Sequence, residues 1–215
     1  MTAPANALAV SERAALADLM TEVGPDAPTL CGTWTTRDLA AHLIVRATRP
    51  DAAAGILVPQ LAGYTDKVMA AVGRRDWPSI VAEVRQGPPR WSPVAIAAVD
   101  AATNTVEYFV HLEDVRRATE PWVPRDLPAD DVAALWAQAQ RAGGYLLRRS
   151  PVGVVYAPTD GPAAGTRHVA RKGERVVVLS GPVSEIVLAT YGRVTQGLEI
   201  EGPAADAAAF LAFPR

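Results

Sequence analysis

The sequence predicts a mainly α N-terminal four-helix bundle over residues 1–122, followed by a small α+β domain over residues 123–215. Three observations lead there. Up to about residue 118 the apolar residues recur at three- and four-residue spacing, the period of helices with one buried face. A Pro-Trp-Val-Pro run at 121–124 interrupts that pattern, and the composition changes beyond it. From Pro151 onward the period shortens toward two, as in strands.

The first helix is expected over residues 5–23, with Leu8, Ala15, Leu16, Leu19 and Met20 on or near one stripe and Gly24-Pro25 as its stop. Thr35-x-x-Asp38 matches the acidic form of a capping box and opens a second helix. That helix runs to about Thr48, ahead of Pro50, because the residue before a proline avoids helical angles. Further helices are expected at 61–72 and at 77–86, the latter with Asp76 as N-cap and Pro78 in its first turn. Gly87-Pro88-Pro89 is a break. Residues 94–118 are again helix-permissive, although Thr103, Thr105 and Val106 weaken the local propensity and Asn104 offers a restart. Tyr108, Phe109, Val110, Leu112 and Val115 give this segment a broad apolar surface, which places Glu107 and His111 in an interior.

Beyond residue 124 a long helix is expected over 130–149, interrupted by Gly143-Gly144, with Val132, Leu135, Trp136, Ala139, Leu146 and Leu147 near its apolar side. Strands follow at 153–157, 166–171 and 174–179. Gly181-Pro182 introduces a helix through Tyr191, and a strand at 198–201 and a helix at 204–212 complete the domain.

Composition narrows the class of function. Hydrophobic residues at 49% and charged residues at 20% describe an ordinary globule. A formal charge of -2 with no basic stripe argues against nucleic-acid binding. No apolar run approaches the roughly 18 residues that cross a bilayer, so no membrane partner is expected. Glu12, Arg13 and Asp18 lie within the first helical pattern, where a secretory leader needs an apolar core. Cys31 is the only cysteine, which fits a reducing compartment, and the expected location is cytoplasmic. Lysine occurs only at Lys67 and Lys172 against many arginines, the mark of a GC-rich coding genome.

Two of the three histidines carry the functional signal. His42 lies about two turns into the second helix, and Glu107 with His111 forms an i,i+4 pair, about 40° apart around a helix axis and so facing the same way. Buried imidazoles and carboxylates need partners, and a divalent cation is one. Two imidazoles and one carboxylate suit Zn²⁺ with an open position; Fe²⁺, Mn²⁺ or Ni²⁺ accept the same donors. On spacing alone a second reading stays open, in which His42 bonds to Asp38 one turn away and Glu107 and His111 form a helix-surface pair.

The segments Cys31-Gly-Thr-Trp34-Thr-Thr-Arg-Asp38-Leu39-Ala-Ala-His42-Leu43 and Asn104-Thr-Val-Glu107-Tyr-Phe-Val-His111-Leu-Glu-Asp114-Val-Arg116-Arg117 closely resemble the mycothiol-dependent maleylpyruvate isomerase family, within the DinB-like superfamily of metal-binding four-helix bundles. The stretch from Val176 to Arg193 looks like that family's smaller, sterol-carrier-like C-terminal domain. The resemblance implies a metal held by His42, Glu107 and His111, with Zn foremost and Fe, Mn or Ni as alternatives. It also implies mycothiol as cosubstrate, and isomerase or S-transferase chemistry on a small electrophile.

Asp38 reads equally as an orienter of His42 or as the cap partner; Asp114, on the same face as Glu107 and His111, reads as the surface mate of Arg116 or Arg117, with a place behind the metal donors as the alternative. An anionic substrate would need cationic clamps, for which Arg90 and Arg193 are the candidates. The five tryptophans read as packing, Cys31 as a free thiol outside any metal spacing, and His168 as part of a solvated strand face. The competing function is a non-catalytic protein that binds a metal and a small ligand; the oligomer is a monomer or a homodimer.

Overall fold

The computed structural model describes residues 6–52, 59–89, 91–92 and 95–214. It divides into two compact units, Met1–Trp122 and Val123–Arg215. The first is helical and the second carries a small four-stranded sheet with helices, which is the fold class the sequence predicts. Among the described residues no helix is long and apolar enough to cross a membrane.

In the first unit, α1 spans Ala7–Val23, α2 Thr36–Thr48, α3 Ala62–Gly73, α4 Trp77–Gln86 and α5 Ala97–Arg116. Helix α1 packs along α5 and α4, while α2 packs on α3 and α4. Leu16, Met20, Leu39, Leu43, Ile80 and Leu112 belong to the apolar core they share. Helix α2 starts where the capping box demands: the Asp38 carboxylate accepts from the Thr35 N–H at 2.9 Å, while the Thr35 hydroxyl accepts from the Asp38 N–H at 3.4 Å. Its residues from Leu39 to Val45 are all buried, which carries His42 inside.

Helix α5 runs unbroken through Thr103, Asn104 and Thr105. Its polar groups find partners that do not compete with the helix. The Thr103 hydroxyl donates to the Val99 carbonyl at 2.8 Å, and the Asn104 amide donates to Asp100 at 2.6 Å. Asp100 in turn accepts from the Asn6 amide at 2.7 Å. Asn104 is therefore an interior contact and not a restart. The residues expected at the starts of α1 and α5, Ala5 and Val94, lie outside the described residues.

In the second unit α6, Ala129–Leu146, continues through Gly143 and Gly144. A Cβ on Gly143 would meet the Tyr156 hydroxyl at 2.7 Å, so the glycine serves close packing and not helix termination. Strands β1 (Gly153–Pro158), β2 (His168–Arg171), β3 (Val176–Gly181) and β4 (Glu199–Glu201) pair in the order β2-β1-β3-β4. The β1–β3 pair is parallel and the outer pairs are antiparallel. Helix α7, Val183–Thr190, packs against α6 and the sheet, and α8, Ala204–Ala212, lies on β3. His168 is half-buried against the Trp136 and Tyr156 rings, which corrects its reading as a solvated face. Trp91, read as packing, is 69% exposed.

Candidate metal centre

Helix α2 delivers one imidazole and α5 delivers a carboxylate and a second imidazole to one point in the first unit. Glu107 Oε1 lies 3.2 Å from His42 Nε2 and 3.3 Å from His111 Nε2, and one donor atom from each residue falls within 4.8 Å of the others. Donors bound to one ion at about 2.0–2.2 Å in a tetrahedron are separated by roughly 3.3–3.6 Å. Both carboxylate–imidazole separations lie close to that edge length, so the spacing of these donors suits a cation.

The rings are held from behind. His111 Nδ1 lies 2.9 Å from Asp114 Oδ2, and that aspartate is 0% exposed. With Nδ1–H donated there, Nε2 is the nitrogen left for a cation, the arrangement typical of metal-binding histidines. The Cys31 thiol donates to the same Oδ2 at 3.0 Å. Around Cys31 the chain makes a tight turn. The Leu30 N–H donates to the Asp114 carbonyl at 3.0 Å, the Thr29 hydroxyl donates to the Trp34 carbonyl at 2.8 Å, and the Trp34 ring leans on His42 with centroids 5.2 Å apart. The His42 and His111 rings meet edge to face at 5.5 Å. His42 Nδ1 is buried with no hydrogen-bond partner among the described residues, so the two imidazoles are supported differently.

Arg46, one turn after His42, brings a cation to the rim. Its Nε is 3.4 Å from Glu107 Oε1, and its remaining nitrogens donate to the Thr103 carbonyl at 2.8 Å and to the Asn104 side chain. The electrostatics follow from these contacts. Burial alone would push the Glu107 carboxyl up, but hydrogen bonds from His111 and His42, with the charges of His111 and Arg46, hold it well below the usual range. Burial alone would push His111 down; Asp114, Cys31 and Glu107 reverse that and raise it well above its ordinary value. Without a cation the site is thus a carboxylate shared by imidazole N–H donors.

The architecture has a solved counterpart. The chain shares its fold with a mycothiol-dependent maleylpyruvate isomerase. Its crystal structure covers 93% of this chain and 92% of its own, at 18% identity and a TM-score of 0.59. A mutant of the isomerase matches at 17% identity and a TM-score of 0.61, covering 93% of each chain. No family model matches the sequence, and no curated protein matches it.

The other expected residues are placed less uniformly. Asp38 is exposed and serves the helix cap, not His42. Asp114 is buried behind His111, so of its two readings the place behind the donors holds and the surface one does not; Glu113 ion-pairs with Arg116, at 2.8 Å, and Arg117, at 2.5 Å. Arg90 lies outside the described residues. Arg193 belongs to the second unit, half-buried after α7, where it donates to the Tyr191 carbonyl at 2.8 Å and lines a cavity of about 400 Å³ with Ala189, Leu198 and Phe210. Arg46 was missed at sequence level, although its i+4 spacing from His42 signals a shared face. The partnership of Cys31 with Asp114 has no such local signal, since 83 residues separate them.

Proposed function

We propose that this chain is a divalent-metal-dependent, mycothiol-using isomerase or S-transferase of the mycothiol-dependent maleylpyruvate isomerase family, acting on a small electrophile. The observation that carries the reading is the convergence of His42 Nε2 and His111 Nε2 on Glu107 Oε1 at 3.2 and 3.3 Å. The fold shared with a mycothiol-dependent isomerase supports the reaction class. Residues 1–122 then form the metal-binding domain and residues 123–215 a smaller partner domain. His42, Glu107 and His111 hold the ion, Zn²⁺ by preference, with Fe²⁺, Mn²⁺ or Ni²⁺ compatible with the same donors.

A bound ion supplies a Lewis acid that stabilises the thiolate form of the low-molecular-weight thiol at neutral pH. The chain does the rest. Asp114 fixes which His111 nitrogen faces the site. Arg46 adds to the contacts from His111 and His42 that keep Glu107 ionised, and it brings a positive charge to the rim. Arg193, with Arg90, is proposed to clamp an anionic substrate. The reaction class is attack of the thiolate sulfur on an electrophilic carbon, giving cis/trans isomerisation of an unsaturated acid by addition and elimination, or S-transfer by displacement. A cytoplasm holding such a thiol in reduced form is the matching location.

The test joins metal analysis of gently purified protein to a screen of electrophiles against mycothiol and other thiols. Stoichiometric metal with thiol-dependent turnover that disappears in Glu107→Ala is expected. Metal without turnover against any electrophile would instead favour a binding protein, and no metal before or after addition of Zn²⁺ would end the proposal.

A further inference from the structure

Among the described residues, Cys31 is a nucleophilic side chain at the centre that the proposed chemistry leaves without a part. Its thiol reaches past the metal donors to the carboxylate behind them: Sγ is 3.0 Å from Asp114 Oδ2 and 3.7 Å from His111 Nδ1. The same Oδ2 accepts from His111 Nδ1 at 2.9 Å. One oxygen of a fully buried carboxylate thus serves two donors, and each helps to orient it. A carboxylate that has left water depends on such bonds for its orientation as well as its stability.

We propose that Cys31 is a positioning residue for the metal centre, acting through Asp114 to hold His111 with Nε2 toward the ion. The inference rests on the metal reading of His42, Glu107 and His111. Three placements support it. The thiol is seated by its own backbone, whose N–H donates to the Thr29 hydroxyl at 3.1 Å. The preceding Leu30 N–H bonds to the backbone of Asp114 itself, so both main chain and side chain of the aspartate are gripped by this turn. Finally, the thiol lies on the Nδ1 side of the ring, while the metal donor is Nε2, so Cys31 stands behind its histidine and not beside it.

A residue directly behind a metal-binding histidine typically changes affinity by roughly 10–100-fold when removed. Cys31 acts one bond further out, and a loss of about three- to tenfold is expected for Cys31→Ala. Cys31→Ser keeps an O–H donor and is expected to restore most of the affinity, while Asp114→Asn gives the full effect.

The experiment is chelator competition for Zn²⁺ with the full chain and these variants, joined to observation of the His111 Nδ1–H proton by NMR with and without zinc. A carboxylate-bonded Nδ1–H is shifted downfield and protected from exchange. The proposal expects that signal in the wild type and in Cys31→Ser, and its broadening or upfield movement in Cys31→Ala. Unchanged zinc affinity together with an unchanged Nδ1–H signal in Cys31→Ala would overturn it. Should the wild type bind no zinc at all, the metal reading fails, and the Nδ1–H signal of the zinc-free protein still decides the part played by Cys31.

Discussion

Removing the two imidazoles one at a time should give unequal costs to the metal-free protein and equal consequences for metal binding. His111→Ala takes away the donor to Asp114, which is 0% exposed. Breaking a buried charged pair from one side costs about 3–5 kcal/mol, and the Cys31 thiol still donates to the same oxygen, so about 2–4 kcal/mol is expected. His42→Ala loses one bond to Glu107, worth about 1.5–3 kcal/mol for a charged acceptor, but Glu107 keeps His111 and Arg46, and among the described residues His42 Nδ1 has no partner to strand. About 1–2 kcal/mol follows. Native-state hydrogen exchange of α2 and α5 amides in the presence of EDTA reads these costs directly, since the two units need not unfold together. Zinc affinity should fall by more than about a hundredfold in both, beyond the range for residues behind the donors. Equal metal-free destabilisation, or near wild-type zinc affinity in either variant, would refute the reasoning.

Other expectations follow from the same contacts. His111 is raised in the folded protein, so its contribution to metal-free stability is complete below the unfolded-state value near 6.5 and is lost as pH rises through the higher folded value. Glu107 is lowered, so its contribution is present above about 4.3 and is lost as pH falls through the folded value. Zinc must therefore displace a proton from His111 at neutral pH, and titration calorimetry in buffers of different ionisation enthalpy should show proton release; none at pH 7 would contradict the assignment. In the second unit, Gly143→Ala puts a methyl 2.7 Å from the Tyr156 hydroxyl and disturbs its 2.9 Å bond to Thr190, which should cost about 1–3 kcal/mol. Gly144→Ala meets only the Ala170 carbonyl at 3.4 Å and should stabilise by up to about 1 kcal/mol, with thermal unfolding of the two variants as the comparison.

Much of the helical frame was legible because its signals are local. Asp76 with Pro78, and Thr35 with Asp38, fix helix starts within four residues, and the observed helices begin there. Glu107 and His111 lie one turn apart, so their common direction could be read from spacing. Gly143-Gly144 misled because the cue is local while the cause is not: Tyr156 and Ala170 close on the helix from the sheet. Asp114 stood between two readings for the same reason. Its neighbours Arg116 and Arg117 gave a local cue for a surface pair, but Asp114 is buried and turns to His111 and to a thiol far away in sequence, while Glu113 ion-pairs with both arginines. Both adjacent carboxylates are buried, and charge sign alone does not say which of them meets the arginines and which the histidine.

The turn at Thr29–Thr35 also sets the order in which the centre can assemble. It is closed on itself by the Pro28–Thr35 bridge, yet it reaches Asp114 through Leu30 and Cys31, and His42 meets Glu107 across 65 residues of chain. Closing loops of that length is entropically costly before any contact repays it, so the donors meet only once α2 and α5 have already docked. Zinc present from the start of refolding should leave the folding rate unchanged and slow unfolding instead, because the ion finds its binding geometry in the product and not in the transition state.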